Sequence, residues 1–217
     1  MGRVPELRAA VAGGELVLRG LRRRDAQAWR EVRSRNAAWL GPWEATVPPD
    51  SDEPIPTYGQ MLARFRTETR GDRMIPWAIV FNGRFVGQLT VAGITWGSLR
   101  AASIGYWIDR RVAGQGLTPM VVAMAMDYCF SELRLHRIEV VIRPENRASL
   151  RVVEKLGLRH EGARPAFLHI DGEWRDHEVF AIHSDEAVGG VVSRLRANSR
   201  DTSPPESWQR GRSARNE

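Results

Sequence analysis

Between Ala101 and Leu133 a strand-like apolar run enters Arg111-Val112-Ala113-Gly114-Gln115-Gly116 and passes directly into apolar sequence of helical length. Two glycines at such a junction let backbone N–H groups approach a ligand closely. The unpaired donors and positive dipole end of the following helix make the loop an anion cradle. The spacing is neither the three-glycine dinucleotide fingerprint nor a P-loop with Gly-Lys-Ser/Thr. The plain alternative is a glycine-rich turn that only packs a strand against a helix. Downstream, a strand at Ile138–Ile142 leads into Asn146-Arg147-Ala148-Ser149 and then Lys155-Leu156-Gly157-Leu158. Asn146 can cap a helix there, with Ser149 one turn in on the same face and Gly157 ending it.

The segments before this unit read as an antiparallel meander. Leu16–Leu18 is a short strand, followed by a helix through Trp29 and Val32 that Asp25 could cap. Pro48 to Pro56 is loop, and Tyr58 to Thr69 has helical spacing. Trp77–Phe81 and Phe85–Leu89 flank Asn82-Gly83, a hairpin signal. Gly116–Leu133 is a long helix, and strands near Phe167–Ile170 and Glu178–Ile182 close the domain around Asp171-Gly172. Meander, βαβα unit and closing hairpin together predict an α+β domain built on one mixed β-sheet flanked by helices. Residues 1–14 read as a flexible leader, 15–183 as the folded domain, and 184–217 as a basic, disordered tail.

The chain's 217 residues can bury a core without disulfides or a structural metal. Its single cysteine, Cys129, excludes an internal disulfide and fits a reducing cytoplasm; amid Met126 and Phe130 it reads as a packing residue. No apolar run reaches the length of a membrane span, so no membrane partner is expected. The five histidines show no metal-ligand spacing, and no metal is expected; His136 and His177 read as structural. The net charge of +6 rests on 31 arginines and one lysine, Lys155, which points either to anionic partners or to arginine-biased coding.

The glycine loop and the Asn146–Ser149 segment, at this separation, resemble the GCN5-related N-acetyltransferases. Trp39-Leu40-Gly41-Pro42-Trp43-Glu44, His136-Arg137-Ile138 and Asp171-Gly172-Glu173-Trp174-Arg175-Asp176-His177 narrow the resemblance to the ribosomal-protein alanine N-acetyltransferases, the RimJ/RimL group, over residues 15–183. The resemblance implies a splayed mixed sheet and acetyl-CoA as cosubstrate, held by Trp107, Ile108, Arg111, Val112, Ala113, Gly114, Gln115, Gly116, Asn146, Arg147 and Ser149. It also implies that Ser149, oriented by Asn146, stabilises the leaving thiolate. A backbone N–H near Trp107–Ile108 could serve the oxyanion. Trp39 and Trp43 are expected at the acceptor mouth. Glu44 is a candidate for binding the ammonium or relaying its proton, or is a solvated loop acid.

The implied reaction is direct attack, in a ternary complex, by the α-amine of a protein N-terminus, with a ribosomal protein as acceptor. Two alternatives stay open. One is an acetyltransferase for a small amine or antibiotic; the other is an RNA- or ribosome-binding module with the fold but no turnover. The basic tail is the candidate contact for ribosome or RNA. The oligomeric state is not legible in the sequence.

Overall fold

The computed structural model describes residues 3–52 and 54–200. Eight strands form one sheet: β1 (Leu7–Val11), β2 (Gly14–Gly20), β3 (Met74–Phe81), β4 (Arg84–Thr95), β5 (Ala101–Ile108), β6 (Arg137–Ile142), β7 (Arg159–Ile170) and β8 (Glu173–His183). Their order is β1-β2-β3-β4-β5-β6-β8-β7, and every neighbouring pair is antiparallel except β5 and β6. The expected Asn82-Gly83 turn joins β3 to β4, both residues having positive φ, 48° and 75°. Asn82 also accepts from the Glu15 N–H and donates to the Gly13 carbonyl, tying this turn to the β1–β2 hairpin.

Alternation along the strands sorts side chains to two faces. Leu16, Leu18, Ile75, Trp77 and Ile79 meet α4 (Leu117–Ser131), α5 (Arg147–Leu156) and α6 (Val191–Arg200) on one face. Val17, Ala78, Val80 and Phe85 meet α1 (Ala26–Arg35) and α3 (Tyr58–Arg70) on the other. Every residue of α4 from Pro119 to Met126 is buried, because the sheet covers one side and α5 and α6 the other. Thr57 caps α3 reciprocally with Gln60.

The parallel pairing of β5 with β6 covers only Ala101–Ser103 against Arg137–Glu139. Beyond it the strands part, and Ile104–Ile108 and Val140–Ile142 form the walls of a wedge. Gly87 permits the other flank of β5 to stay close to β4, since a Cβ there would stand 2.3 Å from the Trp107 carbonyl oxygen.

Three expectations change. The leader is not free along its length: Leu7–Val11 pairs with β2, and Leu7, Ala9 and Val11 pack against the core. Its alternation is carried partly by alanine, with Ala9 turned inward and Ala10 outward, a weak apolar signal. Asp25 does not cap α1; its carboxylate takes two hydrogen bonds from Arg19 and one from the Arg22 N–H. The tail expectation fails for residues 184–200, which form a short turn and then α6, with Val191 and Leu195 buried; the rest of the expected tail, 201–217, lies outside the described residues. What holds α6 is remote in sequence. Asp127 of α4 accepts from the N–H groups of Val191 and Val192 at 2.6 and 3.1 Å, and Arg194 donates to the Leu156 carbonyl at the end of α5. The closing strands also run longer than expected, to twelve and eleven residues.

Asp127→Ala should cost about 1–3 kcal/mol, since it leaves two helix-end donors without their charged acceptor. Urea unfolding checks this, and an unchanged midpoint would show that α6 docks through its apolar face alone.

Candidate active site

The wedge between β5 and β6 opens into a cleft of about 660 Å³. Its floor is the exposed edge of β5. The Asp109 N–H turns toward β4, donating to the Val86 carbonyl at 2.7 Å, so the Ile108 N–H, one residue earlier, faces the cleft. At one end stands the glycine loop, with Gly114 at φ 80° and Gly116, the N-cap of α4, at φ 78°. Beside each, the position of a missing Cβ is open space. First-turn N–H groups of α4 have no acceptor within the helix, so the loop and helix start can receive a pyrophosphate. This cradle is what coenzyme A requires.

On the β6 side, Asn146 Oδ1 accepts from the Ser149 N–H at 3.1 Å, which fixes Ser149 in the first turn of α5 with its hydroxyl toward the cleft. Across the wedge, the Tyr106 hydroxyl is buried beside Ser149 without a well-formed hydrogen bond to any described residue. Burial pushes the Tyr106 phenol up to about 12, against a smaller opposite pull from Ser149, so it remains a donor. Arg151 and Lys155, four residues apart on α5, also line the cleft.

The opposite mouth is aromatic. Arg33 of α1 lies over Trp29 and Trp107, its guanidinium carbon 5.2 and 5.4 Å from the ring centroids, and ion-pairs with Glu44. Burial lowers the Arg33 pKa. Gln88 accepts from the Trp29 indole at 3.2 Å. The turn Gly41–Trp43 follows the short helix α2 (Ala37–Leu40) and is clamped from the far wall. Arg143 donates to the Pro42 carbonyl at 2.8 Å and covers Trp43. Farther on, Thr46 bonds to the His169 backbone and ring, fastening this segment to β7.

A buried carboxylate joins the two mouths. Asp109, 3% exposed, directly follows β5 and caps the turn that leads into the glycine loop. It accepts from Arg35, from Asn36 at 2.9 Å and from the Arg111 N–H at 3.2 Å. Asn36 in turn accepts from the Arg110 N–H and donates to Val32. The end of α1 is thus bolted to the start of the cofactor loop. Burial alone would raise the Asp109 pKa, but Arg35, Asn36 and the Arg111 N–H outweigh it and hold the carboxyl below its usual range.

The cleft brings together Trp39, Trp43, Glu44, Trp107, Ile108, Ala113, Gly114, Gly116, Asn146 and Ser149. Arg111, Val112, Gln115 and Arg147 lie outside its lining; Arg111, Gln115 and Arg147 are exposed. Glu44 is not a solvated loop acid, since Arg33 engages it. Sequence reasoning missed Trp29, Arg33, Gln88, Tyr106, Arg151 and Lys155. Lys155 could have been found from its spacing with Arg151, while the others depend on distant packing. Cys129 is buried in the core, and burial pushes its thiol up to about 12, so it offers no nucleophile. His177 is buried, bonds to the Arg175 carbonyl, and has its pKa lowered by burial. Among the described residues no three His, Cys, Asp or Glu side chains group as metal ligands, and no helix is long and apolar enough to cross a membrane.

Residues 15–159 match the family model described as the acetyltransferase (GNAT) domain, and the chain belongs to that family. It is an N-acetyltransferase whose cosubstrate is acetyl-CoA. Within the family it is similar to the solved Mycobacterium smegmatis RimJ in complex with CoA-disulfide, at 37% identity and a TM-score of 0.85, over 92% of this chain and 97% of that one. The [ribosomal protein uS5]-alanine N-acetyltransferase of Escherichia coli K12 is 27% identical over 86% of this chain and 96% of its own length. "Probable N-acetyltransferase YjcK" of Bacillus subtilis is 41% identical over 99 residues, 46% of this chain; the match spans about half of that protein, 55%.

Because its folded-state pKa is depressed, Asp109 contributes stability that is complete above the ordinary carboxylate range and is lost as pH falls through the lower folded value. Asp109→Asn should cost about 2–4 kcal/mol at pH 7 by unpairing a buried network. That gap should narrow as pH falls below about 4. A gap that stays constant down to acid unfolding would show that the carboxylate's charge is not what joins α1 to the loop.

Proposed function

We propose that this enzyme acetylates the N-terminal α-amine of a ribosomal protein by direct transfer in a ternary complex, in the cytoplasm. The observation that carries this reading is the placement of Ser149 across the wedge from the Ile108 N–H, between a phosphate cradle and an aromatic mouth. The near full-length similarity to a uS5-alanine N-acetyltransferase supports the choice of acceptor.

Acetyl-CoA supplies an activated acyl thioester; the remaining work belongs to the chain. Gly114 and Gly116 present backbone donors to phosphate, and Arg151 and Lys155 take the cationic role that sequence reasoning gave to Arg147. Arg111 and Gln115 stand exposed at the outer edge of the loop, placed for a phosphate that projects beyond the cleft. The Ile108 N–H is a fixed, water-poor donor for a carbonyl oxygen. Ser149 donates a hydrogen bond to the departing thiolate, which takes up the proton released by the attacking amine; Asn146 holds the serine backbone, and the buried Tyr106 hydroxyl stands beside it as a second donor.

The acceptor amine must be neutral when it attacks. An α-amine with a pKa near 7.7–8.0 is already about one-tenth neutral at pH 7, whereas a lysine near 10.4 is not. A strong general base is therefore unnecessary, which suits a Glu44 already occupied by Arg33. That pair, with Trp39 and Trp43, positions the incoming N-terminus, and its exchangeable charges match an ammonium and a peptide carbonyl.

Steady-state acetylation of a peptide that copies a ribosomal-protein N-terminus and also contains an internal lysine tests the reading. One acetyl group should appear, on the α-amine alone; labelling only of the lysine, or only of small polyamines, would overturn it. Ser149→Ala should lower kcat by roughly a hundredfold with little change in the KM for acetyl-CoA. Tyr106→Phe should give the same signature with a smaller loss. Gly114→Val should abolish cofactor binding by calorimetry, because a branched side chain at positive φ would fill the cradle.

A further inference from the structure

Helix α3 separates the active cleft from a second groove. Met61 lines the cleft, whereas Leu62, Phe65, Arg66, Thr69 and Arg70 line a groove of about 640 Å³ closed by the segment before β1 and the end of β2. Five arginines surround it: Arg3, Arg19, Arg22, Arg66 and Arg70. Glu6 is its one acid, 4.0 Å from Arg22 and also paired with Arg8. Arg19 is neutralised by Asp25. Arg3, Arg66 and Arg70 pair with no carboxylate among the described residues, so positive charge is left uncompensated around a concave surface. Thr69 lies in the same wall, 6% exposed, and its buried hydroxyl has no hydrogen-bond partner among the described residues. A buried hydroxyl without a partner is costly in isolation, and Thr69 shares this groove wall with Arg66 and Arg70.

We propose that this groove binds the phosphate backbone of single-stranded RNA, with Arg66 and Arg70 as its principal contacts. Guanidinium forks suit phosphate oxygens, and a strand's negative charge answers the surplus that no acid among the described residues cancels. Arg66 and Arg70, four residues apart, stand about 6 Å from each other along the helix axis. That separation suits successive phosphates of an extended strand better than the adjoining phosphates of one diphosphate. The site is distinct from the coenzyme cradle and lies on the other side of α3 from the acceptor mouth. A bound strand would therefore leave the acetylation cleft open. It does not depend on which amine the enzyme acetylates.

Fluorescence anisotropy of the full chain with a labelled single-stranded RNA, over a salt series, tests the proposal. In the Arg66→Ala/Arg70→Ala variant the slope of log K against log salt should fall in magnitude by about 1.4, two phosphate contacts at about 0.7 each. The arginines of residues 201–217 are present in both chains, so this difference reads the groove alone. The Arg66→Lys/Arg70→Lys variant keeps both charges and should keep the slope. Unfolding midpoints show that each variant is folded, independently of any activity. The proposal fails if the wild-type chain does not bind RNA at low salt, or if the alanine variant keeps the full slope. It also fails if inorganic diphosphate binds the groove and RNA does not displace it.

Discussion

The pairing of β5 with β6 stops after three residue pairs, and the cleft proposed as the active site is the consequence. A sheet whose strands stayed parallel to the end would satisfy every backbone group internally and leave no room for a ligand. Here the strands diverge, the Ile108 N–H is left facing a gap, and the two helices that follow begin on opposite sides of it. The glycine loop starts one helix and Asn146 starts the other, so both walls of the wedge carry helix N-termini. Unpaired donors on a strand edge and at two helix starts arise together from one interruption in a ladder.

A wedge held only by its closed end would flex, and the polar network around Asp109 braces it. That carboxylate fixes the first residues of the glycine loop, while Asn36 and Arg35 reach it from the end of α1. Arg143 closes the same circuit from the other wall through the Pro42 carbonyl. The aromatic side and the glycine-loop side of the cleft are consequently one mechanical unit. A change in either α1 or the loop should be felt at the other mouth.

The backbone shape of the glycine-loop half was legible in the sequence, because it is set locally: Gly114 and Gly116 take positive φ and Asn146 caps the helix that carries Ser149, although Arg111, Val112, Gln115 and Arg147 fall outside the cleft lining. The aromatic half was not. Arg33 acquires its setting from Trp29, Trp107 and Glu44, and Asp109 acquires its partners from 73 and 74 residues away. Spacing rules cannot detect contacts of that kind. The same limit hid α6, whose cap comes from Asp127 on another helix. The arginine excess was visible from the start, but its placement was not. The described structure gathers part of it around α3, away from both the coenzyme cradle and the expected tail.

The proposed function is acetylation of a protein's α-amine in the wedge. Mass spectrometry of protein N-termini from cells with and without this chain tests it most directly. One or a few ribosomal-protein N-termini should lose their acetyl group when the chain is absent and regain it with the wild-type chain but not with Ser149→Ala. Unchanged ribosomal N-termini, accompanied by a change only in lysine or small-amine acetylation, would contradict it.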